Sequence, residues 1–484
     1  MKLEHKRITL NRKSMYYNNK RIMISAVKSG SGKTTVSLAL LKALKNRGLK
    51  LRSFKCGPDY IDPMLHRSVL GIPCANLDPF FQDRELMRCL FCEKSREADI
   101  SVIEGVMGYY DGISFDSTDK SSYECAYYLG CPVILVIDGR GMSHSLIALL
   151  KGMQSLKYDS GIRGVIINNV PERIYNKLKS VIERETDIVP LGFMPHIAEC
   201  EIDSRHLGLL TPDDIPEFEK KTAVLGREAE SCLDIDAILR LSAEGRSFEY
   251  DENHTLNIIA SLNTGDISGL RIAVARDEAF SFIYEDNLEL MEHLGAEIVF
   301  FSPLRDAELP DNIDGCIFYG GYPELYASGL SKNKSMLFSV RKALSEGLPA
   351  LAECGGFLYL HEYIEDPDGR EYAMTGFFNG SRAIKRDRLQ HFGYVDLKPY
   401  KDDPFIKKGT VLKAHEFHYY VSSLREEHME ICKASDSSIR YKGMLTKNNV
   451  LCGFPHFYYY ADPSLILNFL KLCRKQGLYD QNSL

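Results

Sequence analysis

This sequence predicts an α/β protein of two domains, and three observations carry the prediction. Its 484 residues, 44 % of them apolar, exceed what one ordinary core accommodates and suffice for two. From residue 21 onward short continuous apolar runs alternate with amphipathic stretches, as expected of a parallel sheet whose strands are buried on both faces. The pattern fades between residues 212 and 268 and restarts at "LRIAVARD".

The elements follow in order. "RIMISAV" reads as a strand, and "TTVSLALLKALKNRG" as a helix with Leu38, Leu41 and Leu44 at helical spacing and Gly48 as its left-handed cap. "LKLRSFKC" is the next strand, and "ADISVIEGV", "PVILVIDG", "GVIINNV" and "IVPLGFMP" complete the sheet. The charged stretch after residue 212 reads as a helix or two and a linker. In the second half a helix runs through Leu288, Met291 and Leu294, followed by strands "AEIVFFS" and "DGCIFYGG". These readings divide the chain into an N-terminal extension (1–20), a first domain (21–245), a linker (246–268), a second domain (269–470) and a tail (471–484).

Sixty basic and 66 acidic residues are interleaved and sum to −6, which leaves no stripe for nucleic acid and no polybasic membrane anchor. Thirteen scattered cysteines lack the spacing of a small secreted domain and point to a reducing compartment, the cytoplasm. The first twenty residues are basic without the apolar core of a signal peptide, and no run of about 18 apolar residues offers a membrane span.

Two corners carry chemistry. In "SAVKSGSGKTT" a strand runs through Gly30, Ser31 and Gly32 into Lys33, Thr34, Thr35 and a helix. Glycines let backbone N–H groups close on phosphate, the helix N-terminus adds positive potential, Lys33 reaches the outer phosphates, and Thr34 is placed to ligate Mg²⁺. The first glycine of the strict pattern is replaced by Val27. Lys28 reads by default as a solvated lysine, and its spacing from Lys33 also occurs in a dimerising branch of such ATPases, which raises a homodimer. Mg²⁺ needs oxygen ligands; Asp59 after the second strand and Glu104 at the end of the third are the candidates, with Asp111 further on. Taken singly, each also suits a helix cap or a turn.

The other corner is "ALAECGG", a strand, a tight turn exposing Cys354, and a helix from Gly355 or Gly356. A helix N-terminus favours the thiolate. "YGGYPE" supplies Gly321, whose N–H with that of Gly355 forms a candidate oxyanion hole, and "GFPHFYYY" supplies His456 as a base. Smaller features read more plainly. "CLFC" at 89–92 lacks partners for zinc and suits a helical face; His415 and His418 in "HEFHYY" pack against or line the thiol site; Arg205 and His206 are either a polycarboxylate contact or a surface pair.

In their order, "GSGKTT", "KCGPDYIDP", "NLDPFF", "IEGVMGYYDG", "VIDGRGMSHS", "RHLGL", "GGYPELYA", "AECGGFLYL" and "HEFHYY" resemble the cobyrinate a,c-diamide synthase family from about residue 21 to 465. The resemblance implies an N-terminal P-loop domain similar to dethiobiotin synthetase, fused to a flavodoxin-like class I glutamine amidotransferase domain. It implies ATP with Mg²⁺, L-glutamine and a corrinoid polycarboxylate as reactants. Cys354 then matches the nucleophile and His456 its activator. Gly30 to Thr35 match the nucleotide loop, Asn168 the nucleotide-contacting asparagine, and Asp59, Glu104 and Asp111 the acids near Mg²⁺ and the acyl phosphate. Tyr60 and Ile61 match positions that handle substrate carboxylates. Two departures stand out: Asn169 replaces an arginine, and Tyr458 occupies the place where most class I amidotransferases carry a glutamate. Two rival readings stay open, the homologous nickel-sirohydrochlorin enzyme and a regulatory ATPase with a degenerate amidotransferase domain.

Overall fold

The structure, a computed structural model, describes residues 11–200, 215–262, 265 and 267–481. It divides into two compact units, Met1–Ile258 and Ile259–Leu484. The first opens with β1 (Ser14–Tyr17) and β2 (Arg21–Ala26), then α1 (Lys33–Asn46), β3 (Leu51–Cys56), α2 (Ile61–Ser68), β4 (Cys74–Leu77) and β5 (Ile100–Glu104). It continues with β6 (Val133–Asp138), β7 (Ile162–Asn168), β8 (Val189–Met194) and β9 (Phe248–Asp251). Seven strands pair in the order β4-β3-β5-β2-β6-β7-β8, every pair parallel. The expected α/β class is what forms.

Burial explains why the apolar runs are continuous. Ile22, Met23, Ile24 and Ala26 are all fully buried, because helices cover both faces of the sheet. Leu38, Leu41 and Leu44 of α1 lie in that core, each contributing roughly 2 kcal/mol of apolar burial. The short strand β4 falls between the second and third strands read from the sequence, so Glu104 ends a later strand than expected.

Two segments depart from the reading. Residues 14–17, expected within an extension, and 248–251, expected within a linker, pair as an antiparallel ribbon. The reason is tertiary: Tyr17 stacks on Phe248 with ring centroids 5.4 Å apart and meets Phe91 edge-on at 5.4 Å. Buried Arg21 adds its guanidinium 5.1 Å from the Phe248 centroid and donates to the Leu129 carbonyl at 2.7 Å. The polar stretch also carries three helices among the described residues, Ile215–Cys232, Ile235–Ser242 and His254–Ser261.

The second unit holds β10 (Arg271–Ala275), β11 (Glu297–Phe301), β12 (Gly315–Phe318) and β13 (Ala350–Glu353). They form a sheet ordered β11-β10-β12-β13, continued by the strands Val450–Gly453 and Leu445–Lys447. All its pairs are parallel except the last. Two further sheets, of four and five strands, are built mostly from residues 361–443, a region in which no strand was read from the sequence. No helix among the described residues is long and apolar enough to cross a membrane.

Candidate functional site

The first site lies where open parallel sheets place ligands, at the carboxyl ends of the strands. After β2 the chain turns through Gly30 and Gly32, whose φ values of 75° and 92° are left-handed and favour glycine. The Ser31 hydroxyl donates to the Lys28 carbonyl at 2.9 Å, and Asn168, at the end of β7, donates through Nδ2 to the Ser31 carbonyl at 3.1 Å. A Cβ on Gly32 would stand 2.0 Å from that Nδ2, so the loop and Asn168 are in close contact. Lys33 donates through Nζ to the Met107 carbonyl; burial and then nearby Lys55 push its pKa down to about 8. Thr34 donates to Glu104 Oε1 at 2.7 Å and approaches Asp62 at 3.4 Å, while Thr35 is half-buried one residue on.

Behind this loop is a buried ionic cluster. Lys55 and Glu104 are register partners on β3 and β5, so their side chains share a face, with Nζ 3.0 Å from Oε1. Lys55 also donates to Asp62, and Asp59 Oδ2 stands 3.7 Å away. Burial works against the lysine's charge, but Asp62, Glu104 and Asp59 outweigh it and hold its pKa well above the usual range. Burial and then Asp62 push Glu104 up to about 7. His66 Nε2 lies 3.8 Å from Glu104 Oε2; burial drives this imidazole down to about 4, so it is neutral.

The remaining predicted residues of this site sort clearly. Asp59 Oδ1 accepts the N–H groups of Ile61 and Asp62 at 2.9 and 3.1 Å, capping α2, and Tyr60 is buried at the start of that helix. Asp111 is exposed and accepts the Gly108 N–H at 2.8 Å, shaping the loop that carries Met107. Arg205 and His206 lie outside the described residues. Lys55, Asp62 and His66 were not read as site residues. Asp62 sits inside "KCGPDYIDP", and a lysine one residue from the end of a strand that runs into two aspartates was the available signal.

In the second unit β13 ends at Glu353, and Cys354 adopts φ 45° and ψ −104° before the short helix Gly355–Tyr359. A non-glycine residue held there stores on the order of 1–3 kcal/mol, a strain typical of functional corners. A Cβ on Gly355 would stand 2.9 Å from the Gly321 N, so the two candidate oxyanion donors belong to abutting segments. His456 lines the same corner: its Cε1 is 2.2 Å from where a Cβ on Gly320 would be. Opposite His456 in the sheet is His415, and His418 stacks on Phe454 with centroids 3.8 Å apart.

The expectation that the helix N-terminus lowers the thiol pKa is not met. Burial, then Glu324, pushes Cys354 up, and a five-residue helix does not overcome it. Burial likewise drives His456 down to about 3. Thiol and imidazole therefore rest neutral, and a proton must move between them in the reaction itself. Cys89 and Cys92 are buried on the helix Arg84–Ser95.

Residues 22–209 match the CobQ/CobB/MinD/ParA nucleotide binding domain, and residues 271–463 the CobB/CobQ-like glutamine amidotransferase domain. A cobyrinate a,c-diamide synthase of Listeria innocua is 38 % identical over 452 residues, 92 % of this chain and 98 % of that protein. One from Caldanaerobacter subterraneus is 37 % identical over 458 residues, 94 % and 98 % of the two chains. The chain belongs to the cobyrinate a,c-diamide synthase family. Each family domain brings one corner: the phosphate loop and its cluster fall in the first match, Cys354 and His456 in the second.

Proposed function

We propose that this chain is a glutamine-hydrolysing ligase that uses ATP to convert the a and c acetate carboxylates of cobyrinate into amides. One observation carries the reading: a phosphate loop backed by a buried Lys–carboxylate cluster occurs on one chain with a strained thiol and a histidine that packs on the adjoining Gly320–Gly321 turn. That chain aligns along 98 % of two cobyrinate a,c-diamide synthases. The synthetase is assigned to residues 21–245 and the glutaminase to 269–470.

In the glutaminase, Cys354 attacks the side-chain amide carbon of glutamine while its proton passes to His456. Gly321 and Gly355 donate backbone N–H groups to the oxyanion. His456 returns the proton to the departing nitrogen, releasing ammonia, and water hydrolyses the glutamyl thioester. In the synthetase a substrate carboxylate takes the γ-phosphoryl of ATP, giving an acyl phosphate and ADP. Ammonia attacks the acyl carbon and phosphate leaves. The carboxylate needs this step because oxide is a poor leaving group. Gly30 to Thr35 cradle the phosphates and Lys33 offsets their charge. Tyr60 and Ile61, with Arg205 and His206, receive other carboxylates of the macrocycle.

Magnesium fits the residues present. The donors are oxygens, on Thr34, Glu104 and the aspartates 59 and 62, and Glu104 Oε2 is buried with no hydrogen-bond partner. Among the described residues no three His, Cys, Asp or Glu side chains form a metal cage, as suits an ion that draws most ligands from phosphate and water. When bound, the ion supplies electrostatic stabilisation of the transferring phosphoryl group. We place the enzyme in the cytoplasm on its cysteine pattern. Lys28, exposed on the phosphate loop, is the residue to mutate if the enzyme proves to be a homodimer.

The test is to supply cobyrinate, ATP, Mg²⁺ and glutamine and weigh the products; two new amides are expected. Cys354→Ala should lose glutamine-supported synthesis and keep synthesis from high ammonia. Loss of both would falsify the two-site scheme.

A further inference from the structure

We infer that Glu353, the residue before the nucleophile, is the positioning acid of the glutaminase. It holds His456 from the Nδ1 side and leaves Nε2 for Cys354. The inference rests on the glutaminase reading above. Its basis is geometric. Glu353 closes a strand that is otherwise Ala350, Leu351 and Ala352, and it is only 3 % exposed. A carboxyl group buried in such a place is costly unless it has a partner. Its partner is the histidine segment: Oε2 stands 3.9 Å from His456 Nδ1 and accepts the Phe457 N–H at 3.4 Å.

That segment is itself fixed. Asn287 donates to the Phe457 carbonyl and accepts the Tyr459 N–H, both at 2.8 Å, and the Tyr458 hydroxyl donates to Asp286 at 2.6 Å. Glu353 and His456 are therefore held toward each other by two elements that cannot drift independently. His415 and His418 also act on His456 electrostatically, and both are neutral bases through burial. Neither can offset positive charge on the His456 ring.

Glu353 can. As the Cys354 sulfur bonds to the amide carbon, the thiol proton moves to Nε2 and the ring becomes imidazolium, with Nδ1–H toward Glu353. When the carbon–nitrogen bond breaks, the Nε2 proton goes to the leaving nitrogen and the ring is neutral again. A carboxylate beside the ring favours the charged intermediate and fixes which nitrogen faces the thiol. Chain order places the acid in the same turn as the nucleophile, so one backbone corner sets both.

The experiment is glutaminase kinetics on the full chain with Glu353→Gln, Glu353→Asp and Cys354→Ala. Glu353→Gln keeps the shape and removes the charge. It should lower kcat about 100-fold or more with KM for glutamine unchanged, and Glu353→Asp should recover part of that loss. Parent-like kcat in Glu353→Gln, or a loss confined to KM, overturns the inference. Should Glu353→Gln unfold early, Glu353→Asp decides alone: a reduced kcat at constant KM supports the assignment, and a parent-like kcat or a raised KM overturns it. If Cys354→Ala still hydrolyses glutamine, the glutaminase reading itself has failed. If Cys354→Ala is inactive while Glu353→Gln is fully active, only the role of Glu353 is lost.

Discussion

Lys55 is the cation set directly against Asp59, Asp62 and Glu104, with Lys33 nearby, and its side chain is only 4 % exposed. Removing it would leave like charges facing one another without water. Lys55→Met should therefore destabilise its unit by about 3–5 kcal/mol, read as a lower denaturant midpoint at pH 7; an unchanged midpoint would mean that the carboxyls take up protons at no cost. Lys33→Ala makes a different prediction, loss of synthesis from both glutamine and ammonia with folding retained, since the hydrogen bond that Lys33 makes to the Met107 carbonyl is one that water can replace. The contrast also shows what was legible. Lys33, Thr34, Glu104 and Cys354 could be read because each sits at a fixed place in a strand, turn and helix pattern. Lys55 and Glu353 in strands, and Asp62 and His66 on the short helix α2, could not, because a polar residue in either element reads locally as solvent-facing. Only the neighbouring strand, Glu104 opposite Lys55 or His456 near Glu353, makes it a buried partner.

At the level of elements the corner after β13 is the most constrained. A Cβ at Gly356 would meet the Phe318 carbonyl oxygen at 2.1 Å and its carbon at 2.7 Å, both backbone atoms of β12 and its end. The helix Gly355–Tyr359 would have to lift off that strand. Gly356→Ala should cost about 1–3 kcal/mol. By displacing Cys354 by about 1 Å it should also cut glutamine hydrolysis on the order of 100-fold. Melting curves and glutaminase rates on one preparation check both effects, and unchanged glutaminase would show that the corner yields elsewhere. The same distinction separates the elements that were legible from those that were not. Strands β2, β5, β6 and β7 announce themselves by unbroken apolar runs, since both faces are covered. The ribbon of β1 and β9 does not: β1 is four residues long with three exposed, and it exists because Tyr17 finds Phe248 more than two hundred residues away. The strands between residues 361 and 443 are hidden for the same reason, half-buried alternations such as Phe378–Lys385 being interrupted by glycine and charge.

For the whole molecule, the many buried titratable groups predict an unusual pH profile of stability. His66, His361 and His418 are driven down to about 4, and His415 and His456 to about 3, in every case first by burial. The unfolded chain protonates them near 6.5. Their contribution is thus complete above pH 6.5 and is lost as pH falls toward 4 and 3, because the unfolded state binds more protons there. The buried acids act with the opposite sign. Burial raises Glu104, Glu324 and Glu416 to about 7 and Glu426 to about 8, from 4.5. Their contribution is complete below pH 4.5 and is lost as pH rises through 7 and 8, because the folded state holds the extra protons. Between 4.5 and 6.5 the two sets oppose each other. Below 4.5 the histidines act alone among them, joined by Asp62, whose pKa Lys55 holds low against the effect of burial. Above 6.5 the acids act alone. The thermal midpoint should therefore be nearly flat from pH 4.5 to 6.5 and fall on both sides. Calorimetry of the full chain in steps from pH 3.5 to 8 reads this directly. A midpoint that climbed steadily from 4.5 to 8 would mean that the buried acids are ionised in the folded protein. Glu353, raised well above 4.5 by burial in the same way, would then be ionised before glutamine arrives, beside a His456 ring that is still neutral.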